Sequence, residues 1–435
     1  MTSGASNPFR NQTITTPVKA TIENVTDALK RFCAWLEGYG ETSDDHQSFF
    51  AGPIGGRAKA LYYRKPLLGT LAVSPMIFFE AFLPSARAMF WEPRRFPIAD
   101  AHYAMGFAFL HQTFGRKEDY NKAVHFLNVL RESRSPGFAH HAWGYPFDWV
   151  TRSGTIKEAT PLITTVPYAY EAFWQVYQID RDPNWREVMH SIAQHAVEDY
   201  RDVEMSARAS SCSYTPDPGD KCGVINASAY RSFLLTRAAV DFSEEKYHKI
   251  AERNLAFVLE SQNADGSWFY SIDGVRDFVD HFHTCFVMKA LAKIEQLTGD
   301  PAVRAAIDRG VEYYVRHLFD ADRLPKPFSK APRLTVYQRE LYDCAECVNL
   351  GLLLRGRHAE LDKNLEILVA ELLTNWQLRN GAFRARKLMV GWDNVPMHRW
   401  AQSQVFRALS FYLFENLKTK QGEPERLQEV ASASN

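Results

Sequence analysis

The sequence predicts an all-α protein folded as a closed ring of six helical hairpins, an (α/α)6 toroid. Six stretches rich in small residues have an apolar helical pattern, and they recur at a spacing of roughly 55 to 65 residues, which fits two helices and two connections. Each stretch is followed by a short polar turn and then by a helix with its charges on one face. Six repeats without polar capping units indicate a closed ring.

The apolar stretches are the predicted inner helices, because they are polar only where each helix starts. Short turns lead from them to amphipathic outer helices, at 115–117, 182–183, 242–243, 299–301 and 356–358. Long connections, rich in aromatic and charged residues, lead back to the next inner helix. The inner helices are predicted to begin near Ala101, Pro161, Asn226, His283, Tyr342 and Arg399.

The composition is that of a globular protein with a neutral surface. The chain has 435 residues, of which 46% are hydrophobic and 23% charged, and its formal net charge is zero. A dedicated nucleic-acid-binding protein would show a basic excess. The N-terminus lacks the apolar core of a secretory signal, and proline and charged residues interrupt the most apolar stretch, 67–91. We therefore expect a cytoplasmic protein with no nucleic-acid partner and no membrane span.

One domain accounts for nearly the whole chain. We expect the toroid to span residues 21–418, between a flexible N-terminal tail, 1–20, and a disordered C-terminal tail, 419–435. The six cysteines are expected to be reduced thiols buried as small hydrophobic residues, since Cys344 and Cys347 have no partner pair at zinc-site spacing.

Because inner and outer helices alternate in direction, all six long connections are predicted to emerge on one side of the ring, called the loop face below. Six inner-helix N-termini point there and favour anions. Arg333, Arg339 and Arg399 are the predicted ligands of a carboxylate. The other candidate substrate-binding residues would line a groove for sugar rings; alternatively, they pack in the core. They are Trp143, Tyr145, Trp149, Asn226, Tyr230, Tyr342, Glu346 and Trp400.

The run from Asp280 to Thr284 places two imidazoles and a carboxylate at the start of an inner helix. His281 and His283 are two residues apart, so in an extended segment both would lie on one side as an acid/base pair. Alternatively, these side chains only cap the helix and pack against the core. No third ligand has metal-site spacing, so no metal or other cofactor is expected. The remaining catalytic candidates are Tyr168, Tyr214, Asp148 and Asp280.

The predicted ring resembles the (α/α)6 toroids of carbohydrate-active enzymes, including unsaturated uronyl hydrolases, sugar epimerases and polysaccharide lyases. Segments 143–149, 160–168, 280–284 and 398–402 are similar to proteins encoded in bacterial surface-polysaccharide clusters, over about Gly55 to Leu417. A weaker resemblance is to the C-terminal domain of glucuronyl C5-epimerases, where Tyr-His-Thr opens an inner helix. Here that run reads Phe282-His283-Thr284, so the tyrosine hydroxyl is lost.

These observations favour an enzyme of polysaccharide or capsule biosynthesis that removes the proton next to a carboxylate in a uronic-acid-containing glycan, as an epimerase or a lyase. The resemblance implies an acidic oligo- or polysaccharide as substrate, with other polysaccharide-assembly proteins as further partners. A glycoside hydrolase is one alternative, using two carboxylates from Asp148, Asp277, Asp280, Glu340 and Glu346. A non-catalytic glycan-binding or scaffold protein is the other.

Overall fold

The computed structural model describes the backbone of residues 18–432 and the side chains of residues 18–418. Within this range, two concentric rings of six helices confirm the predicted toroid. The inner helices are α5 (Pro97–Phe114), α7 (Val166–Asp180), α9 (Ile225–Phe242), α11 (His281–Thr298), α13 (Leu341–Leu353) and α15 (Ser403–Ser432). The outer helices are α1 (Ile22–Tyr39), α6 (Lys117–Glu132), α8 (Pro183–Glu198), α10 (Glu245–Glu260), α12 (Pro301–His317) and α14 (Ala359–Glu371).

The inner helices are largely buried, since each one packs against two inner neighbours and against the outer ring. In α9 every residue from 225 to 236 is buried. The outer helices instead bury one stripe. In α1, for example, Val25, Leu29, Phe32 and Leu36 repeat at the three- and four-residue spacing of one helix face.

The ring is closed by helices from opposite ends of the chain, because the last inner helix, α15, pairs with the first outer helix, α1. The ring of Phe406 stacks on Phe32, with centroids 5.2 Å apart. The hydroxyl of Tyr412 donates a hydrogen bond to the carbonyl of Ala20 at 3.1 Å. The sixth hairpin of the toroid is therefore formed by tertiary contact.

The long connections contain short antiparallel strands that the sequence analysis does not predict. The pairs are β1 (Trp149–Thr151) with β2 (Gly154–Ile156), β3 (Asp202–Glu204) with β4 (Ser210–Cys212), and β5 (Val279–Asp280) with β6 (Phe328–Lys330). A further sheet has the order β7 (Tyr337–Glu340), β8 (Arg386–Leu388), β9 (Trp392–Asp393). Two π-helical turns, Leu372–Trp376 and His398–Gln402, adjoin α14 and α15.

The connection between α1 and α5 is an insertion of three helices, α2 (Ser48–Ala51), α3 (Pro53–Arg64) and α4 (Pro66–Phe82), followed by a 3-10 helix, Pro84–Met89. The insertion lies on the loop face. Glu80 of α4 forms an ion pair with Arg386 of β8 at 2.6 Å, and α3 packs against β1. Its own small core contains Phe49, Ala58 and Met76.

The chain ends lie partly outside the described residues. Residues 1–17 of the predicted N-terminal tail are outside them. The backbone of α15 is helical as far as Ser432, and the side chains of the predicted C-terminal tail, from 419 on, lie outside the described residues. All six cysteines are described, and all are free thiols. Among the described helices, none has the length and apolar character needed to cross a bilayer.

Candidate functional site

Several sequence-predicted residues of the loop face contact one another through an aromatic layer. Ring centroids are 5.6 Å apart for Tyr145 and Trp149, 6.4 Å for Trp149 and Tyr214, and 4.9 Å for Tyr342 and Trp400. Phe282 connects Tyr342 and Trp400 to His283. By contrast, Trp143 is fully buried, and its indole N–H donates to the carbonyl of Leu130 at 2.7 Å.

Two of the three predicted carboxylate ligands already bind carboxylates of the protein. Arg399 is buried and donates to Asp45 at 2.8 Å through Nε. Burial alone would raise the pKa of Asp45, but the Arg399 charge and hydrogen bonds hold it below its usual value. Arg339 is bound by Asp320 and Asp322 at 2.9 and 2.7 Å. Arg333 is exposed and forms no salt bridge with a described residue.

The two histidines of the 280–284 run do not form the predicted pair. Helix α11 begins at His281, so side chains two residues apart point in directions that differ by about 200°. His281 is buried in the core, where Nε2 lies 2.6 Å from the Tyr314 hydroxyl and Nδ1 lies 3.2 Å from the Leu318 carbonyl. Burial lowers its pKa to about 3.

His283 instead forms a dyad with Asp280, whose carboxylate lies 2.6 Å from Nδ1 and also accepts the His283 backbone N–H at the helix N-cap. This dyad and the amide of Asn226 line a cavity of about 10 Å³. That volume holds a single water molecule and no sugar ring. Another catalytic candidate, Asp148, is partly exposed and forms a salt bridge with Lys157 at 2.8 Å.

A second polar cluster lies deeper, on the axis of the ring, and contains one buried side chain from each of the six inner helices. We call it the axial cluster. Each member is at most 5% exposed, which is unusual for this many ionisable groups. The cluster consists of His102 of α5, Tyr168 of α7, Tyr230 of α9, Lys289 of α11, Glu346 of α13 and Arg407 of α15.

Lys289 is at the centre of this cluster. Its Nζ forms an ion pair with Glu346 and donates to the Tyr168 hydroxyl at 3.2 Å, and that hydroxyl lies 2.6 Å from the hydroxyl of Tyr230. Burial lowers the pKa of Lys289 to about 8, an effect that the negative charge of Glu346 opposes. A fraction of Lys289 is therefore a neutral amine near neutral pH.

Arg407 is the other cation of the axial cluster. It lies over the Tyr168 ring, 5.2 Å from its centroid, and 3.2 Å from Nδ1 of His102. Because a guanidinium can only donate hydrogen bonds, Nδ1 of His102 accepts the bond and carries no proton. The His102 imidazole is therefore neutral. Burial lowers the pKa of His102 well below its usual value, and the Arg407 charge acts in the same direction. Among the described residues, Arg407 has no carboxylate partner within salt-bridge distance.

A cavity of about 610 Å³, called the funnel below, extends from the axial cluster between the inner helices, toward the C-terminal ends of α5, α7, α9, α11 and α13. Lys289, Asn349 and Arg407 are among its deepest lining residues. The funnel and the loop face are at opposite ends of the inner helices. Its charged lining residues are Arg237, Lys289, Lys293, Arg407 and Lys418, against Glu171 and Glu415.

The sequence analysis therefore finds half of the axial cluster and misses the other half. Tyr168, Tyr230 and Glu346 are predicted site residues, although they were assigned to the loop face. His102, Lys289 and Arg407 were not predicted. A signal for Lys289 exists in the sequence, because a lysine is unusual within an apolar run such as Phe286, Val287, Met288 and Ala290.

No protein-family model matches this chain, and no curated protein does. Solved structures are similar. Cellobiose 2-epimerase from Bacillus thermoamylovorans B4167 has a TM-score of 0.58 and 9% identity over 73% of this chain and 87% of its own. Unsaturated glucuronyl hydrolase from Bacillus sp. GL1 has a TM-score of 0.57 and 11% identity over 90% and 96%.

A third similar structure is the GH76A α-1,6-mannanase from Salegentibacter sp. HEL1_6, with a TM-score of 0.55 and 12% identity over 74% of this chain and 90% of that one. At such low identity the similarity establishes the architecture alone. The described part of this chain is thus an (α/α)6 toroid, with a cationic funnel on its axis.

Proposed function

We propose that the protein is a carbohydrate-active enzyme that binds a uronic-acid-containing glycan in the funnel and removes the proton next to its carboxylate. The observation that carries the proposal is the environment of Arg407. This guanidinium is 5% exposed at the funnel floor and has no salt bridge among the described residues. A buried charge without a counterion is costly, and an anionic group of a ligand would remove that cost.

The rest of the funnel suits a sugar acid. Its volume of about 610 Å³ is within the usual range for small-ligand sites. Gln112, Gln175 and Asn349 supply amides for hydroxyl groups, and Trp174 supplies an aromatic face. Since Lys289 and Arg407 lie together at the floor, a carboxylate bound by Arg407 would place its neighbouring carbon close to the Lys289 amine.

Proton abstraction then follows from the chemistry of these two residues. The neutral amine of Lys289 accepts the proton, and the electron pair of the C–H bond moves into the carboxylate, giving an enolate-like intermediate. Arg407 stabilises the added negative charge. Return of a proton from solvent to the opposite face gives an epimer. Elimination instead expels the oxygen at the next carbon, which leaves as an alcohol with the proton held by Lys289, and gives an unsaturated product.

The similar structures support the carbohydrate class, because their names describe a sugar epimerase and two glycan hydrolases. A hydrolase is the second candidate, since Glu171 lines the funnel and Glu346 lies behind its floor. Each of these carboxylates forms an ion pair with a lysine, Lys293 or Lys289. Neither is thereby positioned to donate a proton to a glycosidic oxygen, so proton abstraction is favoured.

The biological setting remains part of the proposal. The similarity of segments 143–149 and 280–284 to proteins of surface-polysaccharide clusters favours a role in capsule or related polysaccharide biosynthesis in the cytoplasm. An acidic oligo- or polysaccharide would be the substrate, and other assembly proteins the further partners. A non-catalytic glycan-binding role would retain the funnel and Arg407 but would give no turnover.

Paired ligands test the proposal. Calorimetry would compare each glucuronate-containing oligosaccharide with the matched oligosaccharide in which the carboxylate is reduced to an alcohol. We expect binding of the acid and at least about tenfold weaker binding of the alcohol, as for loss of one charged hydrogen bond. Equal affinity for both members of every pair would contradict an acidic substrate. Binding of the acid without any product in NMR spectra would favour the non-catalytic role.

A further inference from the structure

The insertion on the loop face exposes an apolar surface that the proposed chemistry does not use. Of the nineteen large apolar side chains that are exposed within the described residues, nine lie between 54 and 89. We call α3 and α4, residues 53–82, the apolar hairpin. The nine side chains are Ile54, Leu67, Leu68, Leu71, Ile77, Phe78, Phe82, Leu83 and Met89.

Helical spacing gathers four of these residues into one stripe along α4. Leu67, Leu71, Phe78 and Phe82 are separated by four, seven and four residues, which places them on one face. Their exposed fractions are 88%, 73%, 54% and 58%. A monomeric protein in water rarely leaves such a contiguous apolar stripe uncovered.

The stripe is held outward by close packing on its other side. An added Cβ at Gly69 would lie 2.0 Å from Cα of Tyr62, so α3 and α4 are in backbone contact there. Met76 of α4 is buried against Phe49 and Ala58. The hairpin therefore cannot bury the stripe by rotating α4 without losing this contact.

The charges around the stripe are basic. From 46 to 91 the sequence contains a single acidic residue, Glu80, and that residue is bound to Arg386. Arg57, Arg64 and Lys65 are exposed, and the last two adjoin Leu67 at the tip of the hairpin. Apolar side chains beside uncompensated basic ones match the acyl chains and headgroups of an anionic membrane surface.

We propose that the apolar hairpin attaches the protein to an anionic phospholipid surface, with α4 lying in the plane of the interface. The helix has 17 residues and contains Pro75, so it would lie on the bilayer without crossing it. A second copy of the chain is the less suitable occupant, because the basic residues at the hairpin tip would then face the same basic residues.

Vesicle flotation of the full-length protein tests this proposal. Vesicles of phosphatidylcholine alone would be compared with vesicles that also contain phosphatidylglycerol. We expect flotation with the anionic vesicles and little with the neutral ones. The double variant Leu71→Ser/Phe78→Ser should bind the anionic vesicles at least about tenfold more weakly, because two large apolar side chains are lost from the interface.

A matched control is available at the other end of the ring. Val240→Ser, near the C-terminal end of α9, also removes an exposed apolar side chain, 59% exposed, and should leave flotation unchanged. Arg64→Gln/Lys65→Gln should reduce the preference for phosphatidylglycerol and the salt sensitivity of binding. Circular dichroism melts would show that the variants are folded, as expected for exposed positions.

Three results would overturn the proposal. The first is the absence of flotation with either kind of vesicle. The second is flotation that Leu71→Ser/Phe78→Ser leaves unchanged. The third is a concentration-dependent dimer, measured by light scattering, that the same double variant abolishes while vesicle binding stays absent. That third result would assign the stripe to a second copy of the chain.

Discussion

The amine of Lys289 donates to the Tyr168 hydroxyl at 3.2 Å, and both side chains are at most 2% exposed on the axis of the ring. They come from different inner helices, α11 and α7, which are 121 positions apart in sequence. Burial raises the pKa of Tyr168 well above its usual value, so the phenol stays protonated. The lysine is the member of this pair that can change protonation near neutral pH.

Substitution of Arg407 should weaken the binding of acidic ligands. Arg407→Gln keeps a polar side chain at the funnel floor but removes the charge, so we expect a loss of about 1 to 3 kcal/mol for glucuronate-containing oligosaccharides. Their carboxyl-reduced counterparts should be unaffected. Calorimetry measures both.

Arg333→Gln is the matched control, because Arg333 is an exposed arginine of the loop face that was also predicted to bind the carboxylate. A larger loss of affinity for Arg333→Gln than for Arg407→Gln would place the site on the loop face.

The activity should rise with pH through about 8. The active form of Lys289 is the neutral amine, and burial lowers its pKa from 10.5 to about 8, so kcat/KM should increase as pH rises toward that value and level off above it. The negative charge of Glu346 opposes the effect of burial. Glu346→Gln should therefore move the midpoint of the pH profile to lower pH, whereas a midpoint that stays in place would remove Lys289 from this role.

A buried network on the loop face should control stability in acid. Glu340 lies 2.8 Å from Nε2 of His46 and 3.0 Å from Nε of Arg386. Burial alone would raise the pKa of Glu340. The interactions with Arg386 and His46 outweigh burial and lower this pKa to about 2. The folded pKa is below the unfolded one, so this stabilisation is present above about pH 4.5 and is lost as pH falls toward 2.

Urea unfolding at several pH values checks this expectation. Glu340→Gln should cost about 1 to 3 kcal/mol at neutral pH, because Arg386 loses one carboxylate partner but keeps its ion pair with Glu80. The variant should also lose less stability than the parent on acidification. Equal acid sensitivity of the two proteins would be inconsistent with a role for Glu340.

The closure of the ring depends on close contact between α5 and α15. An added Cβ at Gly106 would lie 2.5 Å from the ring of Phe406, which is fully buried and stacked on Phe32. We expect Gly106→Ala to destabilise the protein by about 1 to 3 kcal/mol. Gly38→Ala is the matched control in helix α1, where an added Cβ meets nothing within 4 Å, and it should stabilise by about 0.5 to 1 kcal/mol. Thermal unfolding would compare the two.

The ring could be predicted from the sequence because its signals are local. The inner helices are predominantly apolar, and glycines such as Gly115 and Gly299 end them in the left-handed conformation. Local sequence patterns do not specify the pairing of α15 with α1, because it joins residues such as Tyr412 and Ala20 that are 392 positions apart.

The site was less predictable because it depends on which charges meet in three dimensions. Arg399 looked available for a substrate carboxylate, but Asp45, 354 positions away, binds it. The sequence around Arg407 gives no signal of a site, and only the closed ring places this residue beside Tyr168 and His102. Local patterns show which residues are charged, whereas tertiary contacts decide which of them remain without a partner.

In the proposed reaction, Lys289 removes a proton next to a substrate carboxylate. Acidic glycans would be incubated with the protein in deuterated water, and NMR would follow the hydrogen next to the carboxylate while ultraviolet absorbance would detect an unsaturated product. We predict deuterium incorporation or the unsaturated product, and a loss of at least about 10²-fold in rate for Lys289→Met. The His283→Ala variant should retain the activity. Exchange that survives Lys289→Met and is abolished by His283→Ala would show that Lys289 is not the base and would assign the chemistry to the loop face.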